Sequence, residues 1–186
     1  TNSAVQALAS RSSLSDSLSF ASADGTAQTV TITIAGANDA ATNAAERTRE
    51  ETEDVSTAAT GTLTATYTDT GESSMADKDS TASTYGTYSM SSGAWTYSLD
   101  STNSAVQAMA AGATMTDSLS FASADGTAQT VTITITGAND AATIAGDTTG
   151  AATEDVSTAA TGTLTATDTD SSQSSMADKS STASTY

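Results

Sequence analysis

The chain has no cysteine, histidine or proline, and aromatic residues make up only 4% of its 186 positions. Without cysteine there is no disulfide framework and no thiolate metal site, so stability must come from packing or from cations bound through oxygen. Without histidine, the abundant serines lack the usual general base of a nucleophilic hydrolase. The scarcity of aromatic rings also disfavours a sugar-cleaving pair of carboxylates. We therefore expect the protein not to be an enzyme.

Basic residues are scarce as well. Five Lys or Arg residues stand against 22 Asp or Glu residues, which gives a formal net charge of −17. An acidic surface of this kind repels nucleic-acid phosphates and anionic lipid headgroups. No stretch approaches the roughly 18 to 20 consecutive apolar residues that span a bilayer. We expect neither nucleic-acid binding nor membrane insertion.

The most informative feature that is present is an internal repeat. Residues 1–85 reappear nearly unchanged as residues 102–186, an offset of 101 positions, and only residues 86–101 are not duplicated. A fixed period indicates a string of equivalent structural units. The phase of the repeat predicts the C-terminal part of one unit over 1–43, a complete unit over 44–142 and the N-terminal part of the next over 143–186. Either the chain is a window of a longer repeat protein, or the last part of one chain completes the first part of another.

Alternating side chains predict β-strands. Residues 29–34, with the sequence TVTITI, alternate polar and apolar β-branched side chains, which is typical of a strand with one buried face. Asp24 and Gly25 separate this run from an alternating run upstream and supply a tight turn. Residues 17–35 are therefore predicted to form a hairpin, which recurs at 118–136.

Further strands are predicted over residues 62–66 and around Trp95, and the only helical signal is the short segment SAVQALA at residues 3–9. Short strands separated by Gly and Asp turns favour an all-β fold, a tandem array of immunoglobulin-like or cadherin-like antiparallel β-sandwiches. We interpret Trp95 as a core residue rather than an exposed sugar platform. The predicted core comprises Val5, Leu8, Leu14, Leu18, Phe20, Val30, Ile32, Ile34, Leu63, Trp95, Tyr97 and Leu99.

Residues 153–170 (TEDVSTAATGTLTATDTD) and 83–142, together with their partial copies, resemble the VCBS repeat family of cadherin-like domains in large bacterial surface adhesins. The resemblance covers the whole chain. It implies an extracellular β-sandwich module, at the cell surface or in a secreted matrix, used in tandem for reach or adhesion and often stiffened by calcium. The family usually has proline after the Asn-Asp-Ala of the linker, whereas Ala41 and Ala142 stand there in this chain. The linker backbone is therefore freer in φ than the family pattern implies.

Acidic residues gather at the ends of the predicted strands, and this arrangement suits a hard cation such as calcium, which takes about six to eight oxygen ligands. One predicted junction lies between the second and third parts, and an equivalent one lies between the first and second. At the first junction Tyr67 replaces the first aspartate of an Asp-x-Asp pair, so binding is expected to be weaker unless Glu72 or Glu51 substitutes. Alternatively, the acidic loops only keep the surface soluble. The candidate ligands are Asn139, Asp140, Glu154, Asp155, Asp168 and Asp170 at the second junction, and Asn38, Asp39, Glu53, Asp54 and Asp69 at the first.

The repeat, together with what the VCBS resemblance implies, predicts a structural or adhesive repeat segment of an extracellular bacterial protein, which extends a binding tip or builds a fibre through contacts with neighbouring repeats. The alternative is a module that binds a glycan or a neighbouring copy of itself. Residues 43–52 and 71–80 differ most between the two copies and are interpreted as variable loops that would carry such binding.

Overall fold

The computed structural model describes residues 2–45, 48–55, 57–156 and 159–180. The described residues form an all-β structure with two single-turn helices, which confirms the predicted fold class. In chain order the elements are α1 (Ser3–Gln6), β1 (Ser13–Ala21), β2 (Ala27–Ala35), β3 (Thr42–Ala45), β4 (Thr48–Thr52), β5 (Ala59–Thr66), β6 (Lys78–Ala82), β7 (Gly86–Ser91), β8 (Ala94–Leu99), α2 (Ser104–Gln107), β9 (Thr114–Ala122), β10 (Ala128–Thr136), β11 (Thr143–Gly146) and β12 (Leu164–Thr167).

The middle of the chain forms a sandwich of two sheets. One sheet has five strands in the order β3-β5-β8-β7-β6, and the other has three strands in the order β4-β10-β9. Among the described strand pairs, all are antiparallel except β4 and β10, which run parallel with Thr48 opposite Thr132 and Thr52 opposite Thr136. Strand β4, the first strand of this sheet along the chain, therefore lies beside β10, the last strand of the middle unit.

The core lies between these two sheets and is centred on three aromatic rings. The ring of Phe121 on β9 packs edge-on against Tyr88, with centroids 5.2 Å apart, and lies 6.4 Å from Trp95. Trp95 is fully buried, which confirms its interpretation as a core residue. The other buried apolar residues are Ala59, Leu63, Met75, Met90, Tyr97, Val106, Met109, Leu119, Val131, Ile133 and Ile135.

The predicted core is wrong for the first copy of the repeat. Phe20 is 57% exposed and Leu18 is 45% exposed, whereas their counterparts Phe121 and Leu119 are 2% and 0% exposed. The physical reason is that β1 and β2 form a two-stranded sheet by themselves, with no second sheet packed on their apolar face among the described residues. The other predicted core residues of β1 and β2 that are exposed in the same way are Leu14, Val30 and Ile32.

Local structure follows the predictions more closely. The hairpin β1–β2 is regular, with Ser13 opposite Ala35, and its turn places Gly25 at a φ of +89°. Helix α1 begins after Asn2, whose side chain accepts a hydrogen bond from the Ala4 N–H. The hairpin at 118–136 is likewise confirmed as β9–β10.

The interpretation of residues 43–52 as a variable loop is wrong. This segment contains most of β3 and all of β4, and the first strand of the middle unit begins at Thr42. The sequence TREET lacks an apolar alternation, so its strand conformation comes from pairing with β10 rather than from local pattern. Its counterpart at residues 149–153 forms no strand and pairs with none of the described strands.

Neither of the two described helices has the length or apolar character that crossing a bilayer requires.

Candidate functional site

The parallel pairing of β4 with β10 determines which acidic residues meet at the second junction. Because both strands run the same way, the residues after β4 emerge beside the linker that follows β10. The Glu53 N–H accordingly donates to the Thr136 carbonyl at 2.9 Å. Glu53 and Asp54 therefore lie beside Asp140, at the edge where the middle unit meets the next one.

Glu53 is fixed in place by the groups around it. Its side chain is almost fully buried, and Oε2 accepts a hydrogen bond from the Ala138 N–H of the linker at 3.0 Å. The amide nitrogen of Gln107, at the end of α2, donates to Glu53 Oε1 at 3.1 Å and to Asp54 Oδ1 at 3.0 Å. Both carboxylates are thereby held at the end of the unit.

The opposing carboxylates come from the loop after β12. The Asp140 N–H donates to Asp170 Oδ2 at 3.1 Å, and the Gln173 amide donates to the same oxygen at 2.9 Å. The Asp170 N–H in turn donates to Asp168 Oδ1 at 2.9 Å. Asp170 is only 2% exposed, yet its Oδ1 is buried without a hydrogen-bond partner among the described residues. A buried carboxylate oxygen without a partner carries a desolvation cost that a bound cation would offset.

The electrostatics of the group agree with this geometry. Burial raises the pKa of Glu53, the Ala138 N–H opposes that rise, and the negative charges of Asp54, Asp140 and Asp170 add to it. Burial also raises the pKa of Asp140, and the charges of Asp54, Asp170 and Asp168 act in the same direction. The carboxylates of this group repel one another, so a divalent cation between them would lower the free energy of the folded junction.

The two junctions share the same backbone contacts. At the second junction the Ser171 N–H donates to the Ala108 carbonyl after α2 at 3.0 Å, and at the first the Thr70 N–H donates to Ala7 at 3.1 Å. The Asp39 N–H donates to Asp69 Oδ2 at 2.8 Å, just as Asp140 does to Asp170. Successive units are therefore joined in the same way.

The first junction differs in its side chains. Asp69 is 3% exposed and its Oδ1 has no partner among the described residues, and the same holds for one buried carboxylate oxygen of Glu72. Glu72 stands where the second junction has Gln173, so it cannot donate to the aspartate as that glutamine does. Tyr67, which replaces Asp168, donates its hydroxyl to Asp125 in the β9–β10 turn at 3.1 Å.

The grouping of the candidate ligands in the structure therefore differs from the predicted one. Asp140, Asp168 and Asp170 come together as predicted, but with Glu53 and Asp54, whose assignment to the first junction is wrong because the parallel pairing carries them to the second. Glu154 and Asp155 are exposed, and the repeat places them at the edge that would face a following unit. Asn38 and Asn139 are also exposed, and the Asn139 amide donates to the Asp140 carbonyl.

Among the described residues, no three carboxylates already converge at the distances that hold a metal ion. The donor set is nevertheless made only of oxygen, and Asp170 Oδ1 has no hydrogen-bond partner among the described residues. These residues fit a hard cation in chemistry, with Glu53 and Asp54 on one side of the linker and Asp168 and Asp170 on the other.

Another buried carboxylate, Asp117, has no place in the predictions made from the sequence. Asp117 on β9 is almost fully buried and accepts hydrogen bonds from the Tyr85 N–H at 2.9 Å, the Thr84 N–H at 3.2 Å and the Tyr97 hydroxyl at 3.1 Å. It ties the β6–β7 turn of one sheet to the edge strand of the other. The available signal was its phase, because Asp117 alternates with Leu119 and Phe121 on the apolar face of the strand.

Opposing effects set the ionisation of this cluster. Burial raises the pKa of Asp117, but hydrogen bonds from the Tyr85 and Thr84 N–H groups and the Tyr97 hydroxyl outweigh that effect and hold it below its ordinary value. Burial, followed by the charge of Asp117, raises the pKa of Tyr97. Asp117 therefore stays ionised and Tyr97 stays a hydrogen-bond donor at neutral pH. The hydrogen bonds of this cluster join the two sheets.

Comparisons with protein-family models and with curated proteins find no match for this chain.

Proposed function

We propose that the chain is a non-enzymatic structural segment of an extracellular bacterial repeat protein, whose β-sandwich units extend an adhesin from the cell surface or build a secreted matrix. The observation that carries this proposal is the repetition of the same contacts at both junctions, from Thr70 to Ala7 and from Ser171 to Ala108. Identical contacts between successive units produce a regular array, which is how repeat proteins span distance. The VCBS resemblance supports the same reading.

The junction is proposed to bind calcium. Glu53 and Asp54 belong to one unit and Asp168 and Asp170 to the next, so an ion held by both pairs would resist bending of the linker. Calcium would supply a divalent charge and up to about eight coordination positions for oxygen. Extracellular modules bind calcium at about 10⁻⁴ to 10⁻³ M, so moderate affinity is sufficient outside the cell.

The test combines calorimetric melting with small-angle X-ray scattering in millimolar calcium and in excess EDTA. We expect calcium to raise the melting temperature and to increase the maximum dimension of the chain in solution. Asp170→Asn should remove most of both effects, because it removes the charge of the buried carboxylate with the unpartnered oxygen.

Asp178→Asn is the matched control, because Asp178 is an exposed aspartate of the same segment. It should leave the calcium response intact. Equal melting temperatures and equal dimensions in calcium and in EDTA would contradict the cation role, and an equal loss in both variants would show that the response does not come from this junction.

A further inference from the structure

The turn of the β9–β10 hairpin carries a carboxylate that accepts hydrogen bonds from three parts of the chain. Within the turn, Asp125 accepts from the Ser123 hydroxyl at 2.6 Å and from the Thr127 N–H at 2.9 Å. The Ala41 N–H, in the linker between β2 and β3, donates to Asp125 Oδ2 at 3.0 Å, and the Tyr67 hydroxyl donates to Oδ1 at 3.1 Å. Asp125 therefore joins both the linker and the loop after β5 to this turn.

The loop after β5 is also joined to the first part of the chain and to the linker. The Thr70 N–H donates to the Ala7 carbonyl, and the Asp39 N–H of the linker donates to Asp69 Oδ2. Tyr67 lies just before these residues in the same loop. One short segment thus contacts the first part of the chain at one end and the β9–β10 turn at the other.

The hydrogen bonds around Asp125 keep its carboxylate ionised. The Ser123 hydroxyl lowers the pKa of Asp125 most, desolvation opposes this, and Thr127 and the Ala41 N–H lower the pKa further, so that it lies below its ordinary value. An ionised carboxylate accepts hydrogen bonds and cannot donate them. Tyr67 meets it with a hydroxyl donor, so the two side chains bind each other without a cation between them.

An aspartate at position 67 would have the opposite effect. It would place a second carboxylate beside Asp125, and two carboxylates in contact repel each other unless a cation lies between them. The second junction has an aspartate, Asp168, at the equivalent position of the repeat, and Asp168 belongs to the acidic group described above. The residue at this position thus decides whether a direct hydrogen bond or an ion can join the loop to a neighbouring carboxylate.

We propose that the first junction is held together without a cation, and that Tyr67 is the residue responsible. The Tyr67 hydroxyl and the Ala41 N–H converge on Asp125 and fix the linker and the loop against the middle unit. This inference stands on the contacts of the first junction alone. Only its contrast with a calcium-dependent second junction rests on the proposed function. When calcium is removed, such a chain would bend at the second junction and stay rigid at the first.

Hydrogen exchange of the Ala41 N–H, followed by NMR in excess EDTA, measures the contact with Asp125. We expect this N–H to be protected in the unaltered chain. Asp125→Asn should accelerate its exchange at least about tenfold, because a neutral amide is a weaker acceptor than a carboxylate.

Asp24→Asn is the matched control for Asp125→Asn. Asp24 lies in the turn of the β1–β2 hairpin and accepts the equivalent turn bonds from the Ser22 hydroxyl and the Thr26 N–H. It should leave the exchange of Ala41 unchanged. Fast exchange of Ala41 in the unaltered chain, or equal acceleration in both variants, overturns the proposal.

The role of Tyr67 is tested through the Thr70 N–H, which reports the position of the loop. Tyr67→Phe keeps the ring and removes the hydroxyl, and it should accelerate the exchange of Thr70 about threefold in EDTA. The Ala124 N–H still donates to the Ser74 carbonyl at 3.0 Å in this variant, so the rest of the loop stays on the hairpin. Tyr85→Phe removes a hydroxyl from the β6–β7 turn and is the control. Equal exchange in the two variants overturns the role of Tyr67.

Tyr67→Asp tests the argument from charge. It should accelerate the exchange of Thr70 in EDTA more than Tyr67→Phe does, because the new carboxylate repels Asp125. A Tyr67→Asp chain that exchanges no faster than Tyr67→Phe overturns the assignment of position 67 as the one that decides between the two kinds of junction.

The unaltered chain in calcium and in EDTA separates this inference from the proposed function. Thr70 reports the first junction and its equivalent, Ser171, reports the second, because each N–H bonds to the helix region before it. We expect calcium to slow the exchange of Ser171 and to leave that of Thr70 unchanged. Slower exchange of Thr70 in calcium overturns the inference. Exchange of Ser171 that is indifferent to calcium contradicts the proposed cation and leaves the first junction as inferred here.

Discussion

The two hairpins of this chain, β1–β2 and β9–β10, have nearly the same sequence, the same register and the same turn, yet one face is solvent-exposed and the other forms the core. The register of Ser13 with Ala35 reappears as Thr114 with Thr136. The difference lies entirely in what is packed against them, because only β9–β10 is covered by the five-stranded sheet. The hairpin is thus a local property of the sequence, and the core is a property of the pair of sheets.

The largest difference between the two hairpins is expected when the equivalent phenylalanine ring, Phe121 or Phe20, is removed from each. Phe121→Ala should lower the free energy of unfolding by about 3 to 5 kcal/mol, because it leaves a cavity beside Tyr88 and Trp95. Phe20→Ala should change it by less than about 0.5 kcal/mol, since Phe20 is exposed. Denaturant unfolding of both variants at low protein concentration measures the difference. Similar losses would mean that the first hairpin is also covered.

The next largest difference in the free energy of unfolding is expected between variants of the buried Asp117 and of its exposed copy, Asp16. Asp117→Asn should cost about 3 kcal/mol at neutral pH, because the new amide cannot accept from all the donors that face Asp117. Asp16→Asn should be close to neutral, because among the described residues the Asp16 carboxylate accepts a hydrogen bond only from the N–H of the next residue.

The same pair of variants predicts a pH dependence. The pKa of Asp117 is lower in the folded chain than its ordinary value of 3.8, so below that value the unfolded chain takes up a proton first. The contribution of Asp117 to stability is therefore complete above about pH 4 and is lost as the pH falls through the folded pKa. Denaturant unfolding at neutral and acidic pH should show a smaller drop in Asp117→Asn than in the wild type or in Asp16→Asn.

A third comparison uses two equivalent glycines. A Cβ atom at Gly61 would lie 2.7 Å from the buried Trp95 ring, whereas at Gly162 it would meet the exposed side chain of Asp147. We expect Gly61→Ala to cost about 1 to 3 kcal/mol through overpacking. Gly162→Ala should cost less, because Asp147 can move aside. Thermal unfolding of the two variants shows which loses more stability. A larger loss in Gly162→Ala than in Gly61→Ala would contradict the packing of Trp95 against Gly61.

The smallest effect is a gain in stability. Glu51 on β4 is buried, and burial raises its pKa above the ordinary value of 4.5. The unfolded chain then releases its proton more readily, so the stability contributed by this group falls as the pH rises through that range. Glu51→Gln should therefore raise the free energy of unfolding at neutral pH by up to about 1 kcal/mol. Glu50→Gln, at the exposed neighbouring position, is the control and should have no effect.

Strands with an alternating pattern could be predicted from the sequence, and those without it could not. Residues 29–34 alternate strictly and lie inside β2, but the charged segment of β4 gives no local strand signal. Its conformation depends on β10, about eighty residues later in the chain, and sequence pattern does not report such a distant pairing. Sequence pattern also does not report which sheet covers a hairpin. The alternation therefore predicts burial for Leu18 and Phe20 as strongly as for Leu119 and Phe121, although only the second pair is buried.

The neighbours of the candidate ligands could be predicted from the sequence only in part. The Asp-x-Asp of Asp168 and Asp170 and the linker residue Asp140 were identified correctly as neighbours, because they lie at strand ends that adjoin the linker. The repeat makes Glu53 and Asp54 equivalent to Glu154 and Asp155, and that equivalence assigns them to the first junction. The parallel pairing moves them to the second junction, which no local pattern could indicate.

That parallel pair also determines how the middle unit would respond to tension. Strand β4 lies near the start of the unit and β10 at its end, and the two run side by side in the same direction from Thr48 and Thr132. A pull on the two ends of the unit would slide these strands past each other, so that their hydrogen bonds are loaded in shear and together rather than opened one after another. The unit is thus closed at the place where a stretched chain would first be expected to open.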